Sequence, residues 1–243
     1  MNINAQNAHY RDLNERIRAA VADGERDITL DNVRGQRYIG AGLNGGTRIT
    51  VSGVPGNDLA AFMNGAEIVV RGNVQDGVGN TMNSGKVVVH GDAGDILGYS
   101  MRGGRIFVRG SVGYRAGIHM KAYHEHFPAV VIGNRARDYL GEYMAGGILA
   151  VLNIESSDQP CVGQWVGTGM HGGVMYLRGT VEAHRLGREV GVSSLSESDW
   201  SLLESLIDEF CSDVGVTGRR FLCAEFVKLT PQTTRPYGTL YAY

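Results

Sequence analysis

The feature that most constrains this chain is a repeat. Residues 65–82 (GAEIVVRGNVQDGVGNTM), 84–101 (SGKVVVHGDAGDILGYSM) and 103–120 (GGRIFVRGSVGYRAGIHM) align without gaps. Each window holds a short β-rich run, a glycine, a loop and a G-x-x-M ending. The glycines that close the run are Gly53, Gly72, Gly91 and Gly110. Gly133, Asn153 and Gly179 continue the series, with spacings of 19, 19, 19, 23, 20 and 26 residues. Met63, Met82, Met101, Met120, Met144 and Met170 share one repeat position. Three residues before them stand Ala60, Gly79, Gly98, Gly117, Gly141 and Gly167, and Gly40 with Leu43 forms an earlier copy.

The period selects the architecture. Ile49/Val51, Ile68/Val70, Val87/Val89 and Ile106/Val108 alternate with polar residues, which is the period of a strand with one buried face. Nineteen residues are too few for a helix–turn–helix repeat, and the leucine-rich-repeat signature is missing. Stacked coils remain, each strand bonding to its equivalents above and below. The expected fold is an all-β solenoid, a parallel β-helix of about seven coils, on the order of 30–35 Å long. The methionines are expected to stack as an internal ladder. The glycines are expected to mark corners with positive φ or no room for a Cβ. Asp76, Asp95 and Asp138 occupy comparable loop positions, which suits a turn-forming side chain.

The ends lack the repeat. Residues 10–22 place Leu13, Ile17, Ala20 and Val21 on one helical face, with Gly24 as the stop. This helix is expected to cap the open edge of the first coil. Residues 196–210 carry Trp200, Leu203, Leu206, Ile207 and Phe210 at helical spacing, with a capping box at Ser196 and Asp199. A short apolar run from Phe221 to Leu229 and a tail with Arg235-Pro-Tyr-Gly follow. This C-terminal segment is expected to cover the far end of the solenoid or to dock on a partner. The expected division is a helical cap (1–26), a β-helix (27–185) and an α/β extension (186–243).

Composition excludes several classes. Glycine, at 36 of 243 residues, is about twice the usual ~7%, yet only five prolines accompany it and no G-X-Y triplet runs. Collagen-like and disordered readings therefore fail. Net charge is −2 with no polybasic run, so nucleic acid and anionic membranes have no electrostatic support. No apolar stretch approaches the ~18 residues of a membrane span, and the first ten residues are polar. A cytoplasmic protein is expected. Cys161, Cys211 and Cys223 form no C-x-x-C, so a disulfide framework, a structural zinc or a cysteine-held cluster is unsupported.

Two glycine strings, Gly40/Gly42/Gly45 and Gly167/Gly169/Gly172, match G-x-G-x-x-G. A dinucleotide site needs a helix after the motif, whereas strand-like runs follow here. The richest polar cluster is His119, Lys121, His124, Glu125 and His126, where the coil spacing jumps from 19 to 23. It is a structural or interface loop, and a contact to a partner or a tunnel is the functional reading. Metal chemistry would need a distant ligand and orienting hydrogen bonds that the spacing does not supply. His90, His171 and His184 stand alone.

The windows at 85–120, 140–148 (LGEYMAGGI), 166–174 (VGTGMHGGV) and 176–179 (YLRG), with the tail RPYG, carry a resemblance. The chain resembles the GXGXG domain of the glutamate synthase large subunit, as a stand-alone subunit of a split, archaeal-type glutamate synthase. The corresponding β-helix chain of formylmethanofuran dehydrogenase is similar in the repeat but more distant. The resemblance implies a right-handed β-helix with no catalytic residue and no cofactor of its own. It places FMN and an iron–sulfur cluster in a synthase subunit and glutaminase chemistry in an amidotransferase subunit, in glutamate biosynthesis. Paralogous complexes such as N-methylglutamate synthase use similar subunits. Two other readings stand beside it. An autonomous β-helix enzyme acting on polysaccharide would need paired carboxylates in register, and the outward row Arg48/Glu67/Lys86/Arg105 is mixed. A generic binding scaffold would use the row Arg71, His90, Arg109 and Arg178.

Overall fold

A computed structural model describes residues 1–123, 125–155, 160–217 and 225–232. The parallel strands are β1 (Asn2–Asn4), β2 (Asp27–Arg34), β3 (Arg48–Val54), β4 (Asn64–Val70), β5 (Ser84–Val89), β6 (Arg105–Val108), β7 (Ala129–Ile132), β8 (Ala145–Val151) and β9 (Gly172–Arg178). They stack in sequence order into a parallel β-solenoid. In-register pairing puts Ile49, Ile68, Val87, Ile106 and Val130 in one row. A second side is stitched by single bridges from Val74 through Ala93, Val112 and Ala136 to Val162. The solenoid has about six turns, close to the seven expected.

Met63, Met82, Met101, Met120, Met144 and Met170 are all fully buried in the core. The expected ladder is therefore the spine of the molecule. The glycines divide by cause. Gly79, Gly98, Gly117, Gly141 and Gly167 have positive φ. Gly91 and Gly110 do not; there a Cβ would strike Asn73 Oδ1 and Asp92 Oδ1 of the preceding coil. Those oxygens accept from the Asp92 and Ser111 backbone N–H at 2.9 and 2.7 Å. The aspartates singled out from the loops work the same way. Asp76, Asp95 and Asp138 accept from the N–H of Asp95, Tyr114 and Gln164, each at 2.8 Å. They tie each loop to the next coil rather than closing their own turn.

The corners have a backbone pattern that the residue types do not announce. The residues five, three and one before each methionine all lie in the left-handed region, from Tyr38/Gly40/Gly42 to Trp165/Gly167/Gly169. The set includes Ile96, Thr81, Phe62, Arg115, His119, Tyr139 and Tyr143, for which this conformation costs about 1–2 kcal/mol each. Alternation turns successive N–H groups in opposite directions along the stack. Arg115 and His119 donate up to Asp138 O and Glu142 O at 3.0 Å, while Gly117 donates down to Leu97 O at 2.7 Å. Each strained residue thus gains an inter-coil hydrogen bond, which offsets roughly 0.5–1.5 kcal/mol.

Helix α1 (Tyr10–Ala22) ends where its apolar spacing predicts, with Asp23 as its C-cap. Leu13, Ile17 and Ala20 join the solenoid core at its first coils. Strand β1 precedes it and buries Ile3, a pairing that the polar N-terminus did not suggest.

The C-terminal segment both covers the end and does something further. Strand β11 (Phe226–Pro231) pairs antiparallel with β9, and β10 (Val190–Ser193) pairs with β11, so the sheet's last edge is covered. Helix α2 (Glu197–Val214) instead lies on the outer face of the sheet. Val69, Val88, Phe107, Val131, Ala150 and Tyr176 point outward and pack against Leu203, Leu206, Ile207, Phe210 and Val214. The expectation of one buried face is corrected here: the middle strands are buried on both faces. The runs IVV, VVV, IFV and VVI carry the apolar residue that a strict alternation overlooks.

The predicted capping box is present. Ser196 Oγ accepts from the Asp199 N–H at 3.2 Å, and Asp199 Oδ2 accepts from the Ser196 N–H at 2.8 Å. Asp199 also accepts from Tyr176 Oη at 2.6 Å and from Lys228 at 2.8 Å. Burial pushes this carboxyl up, but the bonds from Lys228, Ser196 and Tyr176 outweigh it and hold it well below the usual carboxylate range. Burial, then the Asp199 carboxylate, push the Tyr176 phenol up, so the proton stays on Tyr176. The outward row Lys86 and Arg105 anchors the other end of α2, to Glu209 and Asp213 at 2.7–3.1 Å.

Candidate functional site

The loop after Met120 is where the sequence places its polar cluster, and the structure splits that cluster in two. His119 belongs to the corner, one residue before Met120 and in the left-handed region. Its ring stacks on Tyr143 of the next coil at 5.3 Å and meets the edge of Tyr99 at 6.0 Å. Lys121, Glu125 and His126 lie around the bend, on a different side of the coil. They line an open cavity of about 720 Å³ together with Asn64, Asn83, Arg102 and Tyr123. His124 lies outside the described residues, as do Cys223 and the RPYG tail. The loop is held by a pair of backbone hydrogen bonds between Tyr123 and His126, at 3.0 and 2.9 Å.

Arg102, Asn83 and Asn64 were not singled out from sequence, yet the repeat contains the signal. From Leu43 to Met120, the residue that follows the core position is Asn44, Asn64, Asn83, Arg102 and Lys121 in successive coils, with Ala145 and His171 after Met144 and Met170. Asn64 is engaged within this column: its Oδ1 accepts from Ser84 Oγ at 3.0 Å and its amide faces Asn44 Oδ1 at 3.4 Å. The column changes from neutral amides to cations in the two coils before the inserted loop.

A second feature occupies the corner's outer face. Trp165 stacks on Tyr139 at 4.9 Å, and the Arg115 guanidinium lies 4.6 Å from the Tyr139 ring centre. Arg115 is fixed by Glu142 at 2.9 Å. Trp165 is 50% exposed and Tyr143 46% exposed.

The other motifs resolve into structure. Both G-x-G-x-x-G strings are corners: Gly40, Gly42, Gly167 and Gly169 have positive φ, and strands β3 and β9 follow. Cys161 is buried, which pushes its thiol up to about 11, and Cys211 is buried. In the outer row, His90 Nε2 lies 3.0 Å from Arg71 Nη1. Burial, then Arg71 and Arg109, lower the His90 pKa, so it accepts from Arg71 as a neutral ring. Arg178 donates to the Leu152 and Asn153 carbonyls at 3.2 and 3.0 Å. Those two members of the row serve the fold. His171 Nδ1 lies 3.1 Å from Gly169 O, and His184 lies 3.7 Å from Glu182. Among the described residues, no three His, Cys, Asp or Glu side chains group as metal ligands would. No helix among them is long and apolar enough to cross a membrane.

Comparison with known proteins bears on the chain as a whole. The sequence pattern of a family described as "GXGXG motif" matches residues 4–235. An uncharacterised protein of Methanocaldococcus jannaschii is 44% identical over 248 residues, covering 98% of this chain and 95% of its own length. Among solved structures, a chain of the formyltransferase/hydrolase complex of Methylorubrum extorquens, crystallised with methylofuran, superimposes with a TM-score of 0.68. It is 18% identical, and the match covers 87% of this chain and 76% of that one. At that identity the likeness is one of fold.

Proposed function

The chain belongs to the GXGXG-motif family, and from that membership we propose that it is an assembly subunit of a glutamate-synthase-type oxidoreductase complex. In this reading its partners are an FMN- and iron–sulfur-bearing synthase subunit and a glutamine amidotransferase subunit. The flavin, the cluster and the bond-making chemistry belong to those chains. This chain supplies a rigid frame that holds them at fixed separation, in nitrogen metabolism within the cytoplasm.

The observation that carries the reading is the outer face of the corners. Tyr143 and Trp165 sit in left-handed backbone, where glycine would cost least, and leave about half of each side chain in water. The inter-coil hydrogen bonds of the corners are made by the backbone, which glycine would make equally, so they do not call for large half-exposed rings. Aromatic and Arg side chains presented this way are the residue types that dominate protein interfaces. The Arg115–Tyr139–Trp165 stack is also pre-ordered, so docking would freeze few rotamers.

The test is to isolate the untagged protein from its own cell under gentle conditions. Co-isolation of a yellow-brown chain containing flavin and iron–sulfur, with glutaminase activity, is the expected result. The structural neighbour motivates a second reading, in which the frame serves a formyl-transfer complex. Partners with formyltransferase activity and no flavin would establish that reading instead.

A further inference from the structure

We infer that the cavity lined by Arg102, Lys121, Glu125 and His126 is a socket for an acidic segment of a partner subunit; this rests on the assembly reading and names the surface that performs it. The repeat supplies its own control. In-register coils place the residues after successive methionines about 4.8 Å apart along the stack. Coils that carry Asn44, Asn64 and Asn83 there show that the fold accepts a neutral amide, and that Asn64 even gains hydrogen bonds from one. Arg102 and Lys121 replace the amide in two consecutive coils, each backbone N–H still donating to the methionine below at 2.9 Å. Adjacent like charges in a ladder repel and destabilise it. The stacking of the coils therefore does not require charge at these two positions.

Three further observations converge on the same spot. The coil spacing first lengthens here, from 19 to 23 residues, and Tyr123, Glu125 and His126 of the added stretch line the cavity. Among the described residues, the Arg102 guanidinium has no hydrogen bond or ion pair. The loop also presents Phe127 at 62% exposure and Tyr123 at 42%. Two cations against the single carboxylate of Glu125 leave the cavity net positive, which complements a chain rich in Asp or Glu. The exposed aromatic rings suit apolar side chains interspersed among the acids. A guanidinium that reaches a carboxylate binds it through two parallel hydrogen bonds, which fixes orientation as well as charge.

The experiment has two arms. In the first, the native complex is rebuilt with wild-type chain and with the double variant R102N/K121N, which restores the amide of the earlier coils. The variant is expected to fold with an unchanged or higher Tm and to bind its partner about tenfold more weakly. Its affinity is expected to fall less steeply between ~50 and ~500 mM salt. Retention equal to wild type with the same salt dependence would overturn the socket while leaving the assembly reading intact. A wild-type chain that retains no partner would overturn both.

The second arm uses the isolated full chain and a fluorescent hexaglutamate peptide, with hexaglutamine as control. Binding of hexaglutamate that is lost in R102N/K121N supports the proposal. Equal binding to both forms overturns it. So does a result in which acetate or phosphate alone shifts the Arg102 and Lys121 signals and the peptide adds nothing, because the cavity would then be a small-anion site.

Discussion

The coils built on residues 64–120 and those built on residues 121–170 solve the same packing problem with different amounts of chain. In the first set, side-chain oxygens bind the backbone of the next coil at a constant separation of 19 residues, as Asp76 and Asp95 do. In the second set the same bonds span 21 residues from Asn134 to Glu155 and 26 from Asp138 to Gln164. The interior does not register the difference. Met120, Met144 and Met170 are as buried as Met82 and Met101. Among the described residues, the extra chain lies at the surface, because only there can it be added without breaking a ladder bond or opening a void. An insertion in a solenoid is therefore a record of what the surface needs, and the loop over Arg102 is the first of them.

That comparison can be attacked directly. The largest effect is expected in the core and should be the same in both regions. Met101→Ala and Met144→Ala should each destabilise by about 2–5 kcal/mol. Chemical denaturation would measure it, and a much smaller loss at Met144 would show that the inserted coils are loosely packed.

Next comes the clamp that holds the C-terminal helix over both regions. Asp199→Ala leaves Lys228 and the Tyr176 hydroxyl without their acceptor and should cost about 2–4 kcal/mol. The same group gives a pH dependence. Its folded pKa is depressed, so the unfolded chain takes up the proton first. The stabilisation is then fully present above the ordinary carboxylate value of ~4 and is lost as pH falls below it. Thermal melts from pH 7 to pH 3 should show the wild type losing more stability than Asp199→Asn.

A smaller effect is expected at the coil-to-coil bonds. Asp95→Ala and Asp138→Ala should each cost about 1–3 kcal/mol, because each leaves a backbone N–H without its charged acceptor. Equal losses would confirm that one ladder runs through both regions. The smallest effect belongs to the loop. Glu125→Gln should change stability by no more than about 0.5 kcal/mol, as surface substitutions do.

Legibility in the sequence followed the same divide. Where spacing alone determines structure, it could be read. The methionine ladder, α1 at Tyr10–Ala22 and the Ser196–Asp199 capping box stand as their patterns predict. Three features were hidden for physical reasons. The left-handed corner positions carry Ile96, Arg115 and Trp165, residues whose own preferences oppose that conformation. Their inter-coil hydrogen bonds override propensity, and such bonds leave no local trace. The second buried face was present as Val69, Val88 and Phe107, but its partner α2 begins 90 or more residues away. The cavity was half visible. Lys121, Glu125 and His126 are neighbours in sequence, whereas Asn64, Asn83 and Arg102 join them only through the stacking of coils. Proximity in sequence also misled: His119 stands two residues from Lys121 yet faces the Tyr143 ring.

The claim at the centre is that this 26.2 kDa chain is built to be held by others. Sedimentation of the endogenous, untagged protein in a gently prepared cell extract tests it most directly. The chain should sediment in a complex several times its own mass, together with a flavin- and iron–sulfur-containing subunit. Sedimentation as a lone monomer across the accessible range of concentration and salt would contradict it.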